Sequence, residues 1–200
     1  QEGRYIVFAT KNGLIKKTEL MAYANPRPSG IRAIGLEQGD EVIGVRLTDG
    51  QQELILSTAD GQSIRFKEEQ VRATGRGTFG VVGMKLDPND KVVSMEILSL
   101  GADILTVAEG GFGKRTEMDE YRLQSRGGKG IITMKTTEKT GRVIGVQLVG
   151  AEDQIIFMHR IAPGAADKSY GVHVARLAGV PRSVVTPARQ LMPQLVVHVG

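Results

Sequence analysis

Gly80-Val81-Val82-Gly83-Met84 stands 50 residues after Gly30-Ile31-Arg32-Ala33-Ile34 and 50 before Gly130-Ile131-Ile132-Thr133-Met134. A second set keeps nearly the same step: Asp40-Glu41-Val42-Ile43-Gly44-Val45, Asp90-Lys91-Val92-Val93-Ser94-Met95 and Gly141-Arg142-Val143-Ile144-Gly145-Val146. A third set has the composition of turns: Asn12-Gly13-Leu14-Ile15-Lys16-Lys17-Thr18, Asp60-Gly61-Gln62-Ser63-Ile64-Arg65-Phe66 and Gly110-Gly111-Phe112-Gly113-Lys114-Arg115-Thr116. Asn-Gly and Asp-Gly between apolar runs predict hairpins with type I′ turns, whose two central residues need positive φ. Each unit then reads as four short strands. In the second unit these are Glu53 to Ser57, Ser63 to Phe66, Gly80 to Leu86 and Lys91 to Leu98. A four-stranded unit recurring every 50 residues suits a propeller blade, which buries its faces only against neighbouring blades. The expectation is an all-β chain, a partial propeller of about three four-stranded blades over about residues 4–50, 51–100 and 101–150, with a short helical C-terminal tail. A β-sandwich is the alternative, but its strands need no internal period, and WD-type blades are disfavoured because the chain has no Trp.

The composition is that of a loop-rich globular chain: 200 residues, 40% apolar, with 26 Gly and 7 Pro. The absence of Cys excludes disulfides, thiolate zinc sites and Cys nucleophiles, and suits a reducing compartment. No apolar run approaches the roughly 18 residues a membrane helix needs. The first residues resemble no signal peptide. A cytoplasmic protein without a membrane partner is expected. Because Gln1 is not Met and strand-like sequence begins at Tyr5, the chain reads as a piece of something longer.

Charge follows the same period. Residues 11–32 carry five basic side chains and one acid, 37–60 one basic and six acids, and 61–86 five basic and two acids. The alternation continues through 87–109, with one basic and five acids, and 110–136, with six basic and three acids. In a radial array, equivalent parts of successive blades share a surface, so the hairpins and the Gly loops after them should form a basic rim. Such a rim neutralises phosphates with little base readout. The net charge of +4 is a poorer guide, since residues 1–158 hold 21 basic and 21 acidic side chains and the excess belongs to 159–200.

Catalytic motifs fail on context. Gly75-Arg76-Gly77-Thr78-Phe79-Gly80-Val81-Val82 satisfies both the dinucleotide and the kinase glycine patterns, yet Val81-Val82-Gly83-Met84 is strand-like where a Rossmann turn must open a helix, and there is no H-R-D or D-F-G. Its counterpart, Ser125-Arg126-Gly127-Gly128-Lys129-Gly130, keeps the basic residue and loses the pattern. His159, His173 and His198 have no acidic cluster to complete a metal site. No active site and no cofactor are expected.

Gln124-Ser125-Arg126-Gly127-Gly128-Lys129-Gly130 resembles the Q-R-R-G-G-K-G box of the DNA gyrase A family, differing at Ser125. Asn12 to Leu20, Ile64 to Glu69 and Gly113 to Glu117 are similar to that family's C-terminal blades, so the resemblance runs over about residues 4–153. It implies a β-pinwheel, a propeller variant whose basic perimeter wraps double-stranded DNA to support ATP-dependent negative supercoiling by a type II topoisomerase, in which gyrase A dimers join gyrase B subunits. The blades here resemble the third to the fifth, with the start of a sixth, whereas the family's functional box belongs to the first. The A-type subunit of topoisomerase IV has similar blades. The DNA contacts the resemblance implies are Lys16, Lys17, Arg32, Arg65, Lys67, Arg72, Arg76, Lys114, Arg115, Arg122, Gln124, Arg126, Gly127, Gly128, Lys129 and Gly130. The upstream cleavage region, with its tyrosine, has no match here.

From about residue 154 the composition changes. Pro163 to Pro181 resembles the end of the ATPase domain of the MutS mismatch-repair family, implying a helix from Ser169 to Leu177 stopped by Gly179 and Pro181. That family's nucleotide-binding loop is absent, so ATP hydrolysis does not carry over. Two families meeting near residues 150–157 predict a chimeric junction and a poorly docked tail over 154–200. Two other readings of the whole chain are a fragment of the mismatch-repair ATPase and a propeller-type protein-interaction module.

Overall fold

The computed structural model describes residues 3–99 and 101–150. Eleven strands occur among them: β1 (Tyr5–Thr10), β2 (Leu14–Glu19), β3 (Val42–Thr48), β4 (Glu53–Thr58), β5 (Gln62–Lys67), β6 (Val81–Val82), β7 (Val92–Ile97), β8 (Asp103–Ala108), β9 (Gly113–Glu117), β10 (Ile131–Ile132) and β11 (Val143–Val149). Each second strand runs into a short 3-10 turn, at Leu20–Tyr23, Glu68–Gln70 and Met118–Glu120. The fold is all-β, in the pinwheel form of the propeller. The helical tail and the junction near 150–157 fall almost wholly outside the described residues.

The sheets do not follow the repeats. Their strand orders are β3-β1-β2-β6, β7-β4-β5-β10 and, among the described residues, β11-β8-β9. In the second and third repeats the strand expected to complete the blade is shortened to two residues and pairs instead with the preceding repeat, and in the first repeat residues 30–34 form no strand. Val81 and Val82 lie opposite Ile15 and Leu14 of β2, and Ile131 and Ile132 opposite Ser63 and Gln62 of β5. Every four-stranded sheet is thus made of three strands from one repeat and one from the next.

A single carbonyl anchors each exchange. Gly13 O accepts the N–H groups of Gly83 (2.8 Å) and Met84 (3.1 Å), and Gly61 O accepts those of Thr133 (2.8 Å) and Met134 (3.2 Å). The hairpin glycines sit at φ +84°, so their carbonyls turn out of the hairpin. The expected type I′ geometry is not what the chain adopts. Asn12 and Asp60 keep negative φ, and the Gly13 and Gly61 N–H groups close onto Thr10 O and Thr58 O. These are three-residue hairpin loops with one left-handed glycine. Asp40 Oδ1 takes the Asn12 N–H and Asp90 Oδ1 the Asp60 N–H, both at 2.9 Å, and these bonds hold the loop open. Part of the acidic half of the charge period is therefore structural.

The core lies between blades rather than within them. Val7, Ala9 and Ile15 of the first repeat pack with Leu54, Leu56, Ile64, Phe66, Met84 and Met95 of the second. Ile55, on the opposite face of β4 from Leu54 and Leu56, joins Ile104, Tyr121, Met134 and Val146 of the third repeat. A strand buried on both faces loses the apolar-polar alternation of a one-sided sheet, and Leu54-Ile55-Leu56 reads that way. Arg46 of β3 reaches Glu96 of β7 at 2.9 Å, a further link between the first two blades.

A Cβ on Gly61 would stand 2.0 Å from Met134 O, a backbone atom that can move only by opening the exchange. Gly61→Ala is expected to lose at least about 1–3 kcal/mol for the left-handed φ alone, measured by denaturant unfolding. Gly145→Ala, which meets nothing within 4 Å, serves as the control. Burial pushes the Glu96 carboxyl above its ordinary 4.5, with the Arg46 guanidinium pulling the other way. The folded protein then binds this proton more tightly than the unfolded chain, so the contribution of Glu96 to stability is greatest below the ordinary value and declines as pH rises through the raised one. Glu96→Gln should match wild type near about pH 4 and gain on it toward about pH 7; midpoints that differ by a constant amount across that span would contradict this.

Candidate nucleic-acid interface

The basic residues the sequence singles out divide sharply once placed. Lys16 and Lys17, neighbours on β2, are 2% and 6% exposed. Lys16 Nζ donates to Ala33 O (2.8 Å) and Arg76 O (2.5 Å), tying the Gly loop of the first repeat to that of the second. Burial lowers its pKa from 10.5. Lys17 Nζ donates to Glu68 O (3.2 Å) and lies 3.6 Å from Glu68 Oε1. Glu68 is fully buried, and its carboxylate also accepts from Thr48 Oγ1 (2.6 Å) and the Gln52 N–H (3.2 Å). A buried carboxylate needs such a set, because an unpartnered charge in a dry interior is untenable.

Arg65 takes the place of Lys17 one repeat on and acts alike. It pairs with Glu53 and donates to Met118 O (3.0 Å) and Tyr121 O (3.1 Å) of the third repeat. Arg115, the third in this series, pairs with Asp103 at 2.5 Å. Lys114 is exposed and donates to Thr133 O at 3.1 Å. Lys67 lies 4.0 Å from Glu69, at the limit of pairing, with a half-exposed side chain.

The box at 124–130 is a bridge between repeats. The Gln124 N–H donates to Arg65 O (2.9 Å), the Gly127 N–H to Gly83 O (2.6 Å), and Gly128 O accepts the Lys85 N–H (2.9 Å). Arg126 donates to Gln70 O and Val82 O, both at 2.9 Å. Gly130, at φ +83°, lies so close to Ser63 O that a Cβ would stand 2.3 Å from it. Lys129 pairs with Asp87 at 2.5 Å, which lowers the Asp87 pKa below 3.8. Of the box, the exposed Lys129 presents the most accessible charge.

Arg32, Arg72 and Arg122 are exposed and Arg76 half-buried, and no carboxylate pairs with them among the described residues. Arg72 and Arg122 hold equivalent places, just past the 3-10 turns of the second and third repeats. Sequence reasoning missed Arg27, Lys85 and Lys135, which are also exposed and unpaired among the described residues. Arg27 stands between Pro26 and Pro28, where the other repeats have Gly77 and Gly127, so periodicity could not point to it. Exposed apolar side chains accompany these cations on the exchange loops: Phe79, Val82 and Ile132. No cluster of metal-ligating groups and no helix long and apolar enough to cross a membrane occurs among the described residues.

An all-β pinwheel of exchanged strands, with exposed cations on its Gly loops, defines the class: a propeller-type domain. Residues 4–49, 52–99 and 102–149 each match the model of the DNA gyrase C-terminal domain, beta-propeller, and the chain belongs to that family. It is 47% identical over 158 residues, 79% of its length, to the DNA gyrase A protein of Salmonella typhimurium. It is 40% identical over 157 residues to that of Mycolicibacterium smegmatis. The chain spans only 18% and 19% of those relatives. Among solved structures, the C-terminal domain of DNA topoisomerase IV superposes with a TM-score of 0.71 at 32% identity, covering 74% of this chain and 47% of that one. The DNA gyrase A C-terminal domain does so with 0.68 at 27%, covering 77% and 51%. Residues 129–196 also match the model of MutS domain V, so two family assignments overlap over 129–149.

Arg126→Ala removes a guanidinium bonded to two backbone carbonyls and should lower stability by about 1–3 kcal/mol. Arg122→Ala, with an exposed and unpaired side chain, should stay within about 0.5 kcal/mol. Chemical denaturation of the two variants side by side checks the distinction.

Proposed function

We propose that this chain is a non-catalytic module that binds duplex DNA along its outer loops, as part of the gyrase A component of a type II topoisomerase that wraps DNA to support ATP-dependent negative supercoiling. The observation that carries the reading is the set of cations left without carboxylate partners on the hairpin and Gly-loop side, Arg32, Arg72, Arg76 and Arg122 with Lys85 and Lys135, in a chain of the gyrase C-terminal family. These contacts would be sequence-tolerant, because charge neutralisation on phosphates reads no bases. Lys67, Lys114 and Lys129 join them where a phosphate can replace or supplement their present partners. Lys16, Lys17, Arg65 and Arg126 support the same surface by fixing the loops. The partners of the whole enzyme would be a second copy of gyrase A, to form the dimer, together with gyrase B subunits, in the cytoplasm.

A second reading concerns the C-terminal segment. The match to MutS domain V over 129–196 supports a junction at which a mismatch-repair sequence follows the blades. ATP retention in a filter-binding assay would favour the ATPase reading over the DNA module.

Duplex DNA should bind the full chain with an affinity that falls steeply as salt rises, by fluorescence anisotropy. A salt-independent Kd, or no binding at low salt, overturns the reading. Asp87→Asn frees the Lys129 ammonium, and should tighten binding at low salt and steepen the log Kd against log salt slope by about one.

A further inference from the structure

Between the Gly loops of the first and second repeats lies a cleft of about 380 Å³, lined by Arg27, Arg32 and Arg76 together with Ser29, Gly30 and Gly77. No carboxylate lines it. None of the three guanidinium groups has an ion pair or a side-chain hydrogen bond among the described residues. Buried or half-buried cations of the same chain are matched, Lys17 with Glu68, Arg46 with Glu96 and Arg65 with Glu53, while other exposed ones such as Arg72 and Arg122 stand singly; here three unmatched ones share one concavity. Three unmatched arginines around one concavity repel one another, and an anion removes that repulsion.

The loops that carry them are held in place. Lys16 lies beneath, its ammonium bonded to the carbonyls of Ala33 and Arg76, one from each loop. The Gly35 N–H donates to Thr78 O at 2.9 Å, and Tyr23 Oη to Ala33 O at 3.1 Å. The Gly30 N–H closes a turn onto Arg27 O at 2.8 Å. Fixed loops set the arginines before any ligand arrives, which reduces the ordering that binding requires.

The next junction serves as an internal comparison. There the places of Arg27 and Arg32 are taken by Gly77 and Val82, and that of Lys16 by Ile64. The place of Arg76 is taken by Arg126, whose guanidinium is bonded to Val82 O and Gln70 O. At these three positions the first junction therefore carries three free guanidiniums and the second none.

We propose that the cleft formed by Arg27, Arg32 and Arg76 is a dedicated phosphate site, which takes one backbone phosphate of bound duplex DNA and fixes where the path of the duplex crosses the first two blades. A guanidinium donates two parallel N–H bonds to a phosphate, so two of the three can bracket the two non-bridging oxygens of a diester while the third adds its charge. The source of the phosphate rests on the DNA-binding reading above, while the recognition of a phosphate group does not.

The full 200-residue chain and its Arg27→Gln/Arg32→Gln/Arg76→Gln variant test this, with unchanged circular dichroism and melting temperature showing that the variant folds. Arg32→Gln alone serves as a second variant should the triple change fail to fold. Three additions are compared: a 40-base-pair duplex, inorganic pyrophosphate, and sodium chloride of equal ionic strength. The triple variant should bind the duplex at least about tenfold more weakly and lose about one from its salt slope, and pyrophosphate should raise the melting temperature of wild type but not of the variant. If wild type binds duplex steeply with salt and the variant equals it, the phosphate site is overturned and the DNA-binding reading stands. If duplex does not bind but pyrophosphate still protects wild type alone, the site stands and the DNA reading falls. Protection by chloride equal to that by pyrophosphate shows general screening and overturns the site.

Discussion

Two N–H groups converging on one glycine carbonyl hold each pair of neighbouring blades together, Gly83 and Met84 on Gly13 O and Thr133 and Met134 on Gly61 O. Everything else in the arrangement depends on that contact. It requires a residue at φ +84° whose missing side chain leaves room for the incoming backbone. It delivers the two-residue strands Val81–Val82 and Ile131–Ile132 to the edges of the preceding hairpins. An edge strand left open would be a template for unwanted pairing, and exchange closes it with a piece of the same chain. The blades consequently share both a hydrogen-bond ladder and an apolar core, and no single repeat owns a complete sheet.

The cations acquire two different tasks from this geometry. A residue on the second strand of a hairpin that points toward the next repeat meets carbonyls of its 3-10 turn, and Lys17 and Arg65 are used there as clamps. A residue in the loop that follows the 3-10 turn meets solvent, and Arg32, Arg72 and Arg122 remain available. The two sets are indistinguishable in composition and in spacing. They differ in desolvation: a buried ammonium must satisfy its donors within the protein, and one in water need not. The acidic segments show the same split, with Asp40 and Asp90 holding hairpin loops by accepting backbone N–H groups while Asp87 covers Lys129 at the surface.

Repetition also makes departures from it informative. Positions that are glycine or valine in later repeats are Arg27 and Arg32 in the first, and the guanidinium that bonds to carbonyls at Arg126 is unpartnered at Arg76. The blades are equivalent as scaffolds and unequal as charged surfaces. The first junction concentrates positive charge, and the next is more apolar, with Val82 and Ile132 exposed.

The sequence by itself determined the repeat, the all-β class and the hairpin positions, because a glycine that must take a left-handed φ and a strand buried on both faces leave local signatures at fixed spacing. Gly13 and Gly61, and the strand from Glu53 to Ser57, were legible at those positions. So was the alternation of charge, and the resemblance of 124–130 to a gyrase box. Only the tertiary structure decided that the strand after each Gly loop leaves its own repeat, since its partner lies in the preceding hairpin and two residues carry no periodicity. It also decided which basic residues are buried clamps and which are free. Lys16 and Arg32 look alike in the chain, but one lies under a pair of loops, where water is excluded and carbonyls replace it, and the other stands at the rim of a cleft lined by no carboxylate.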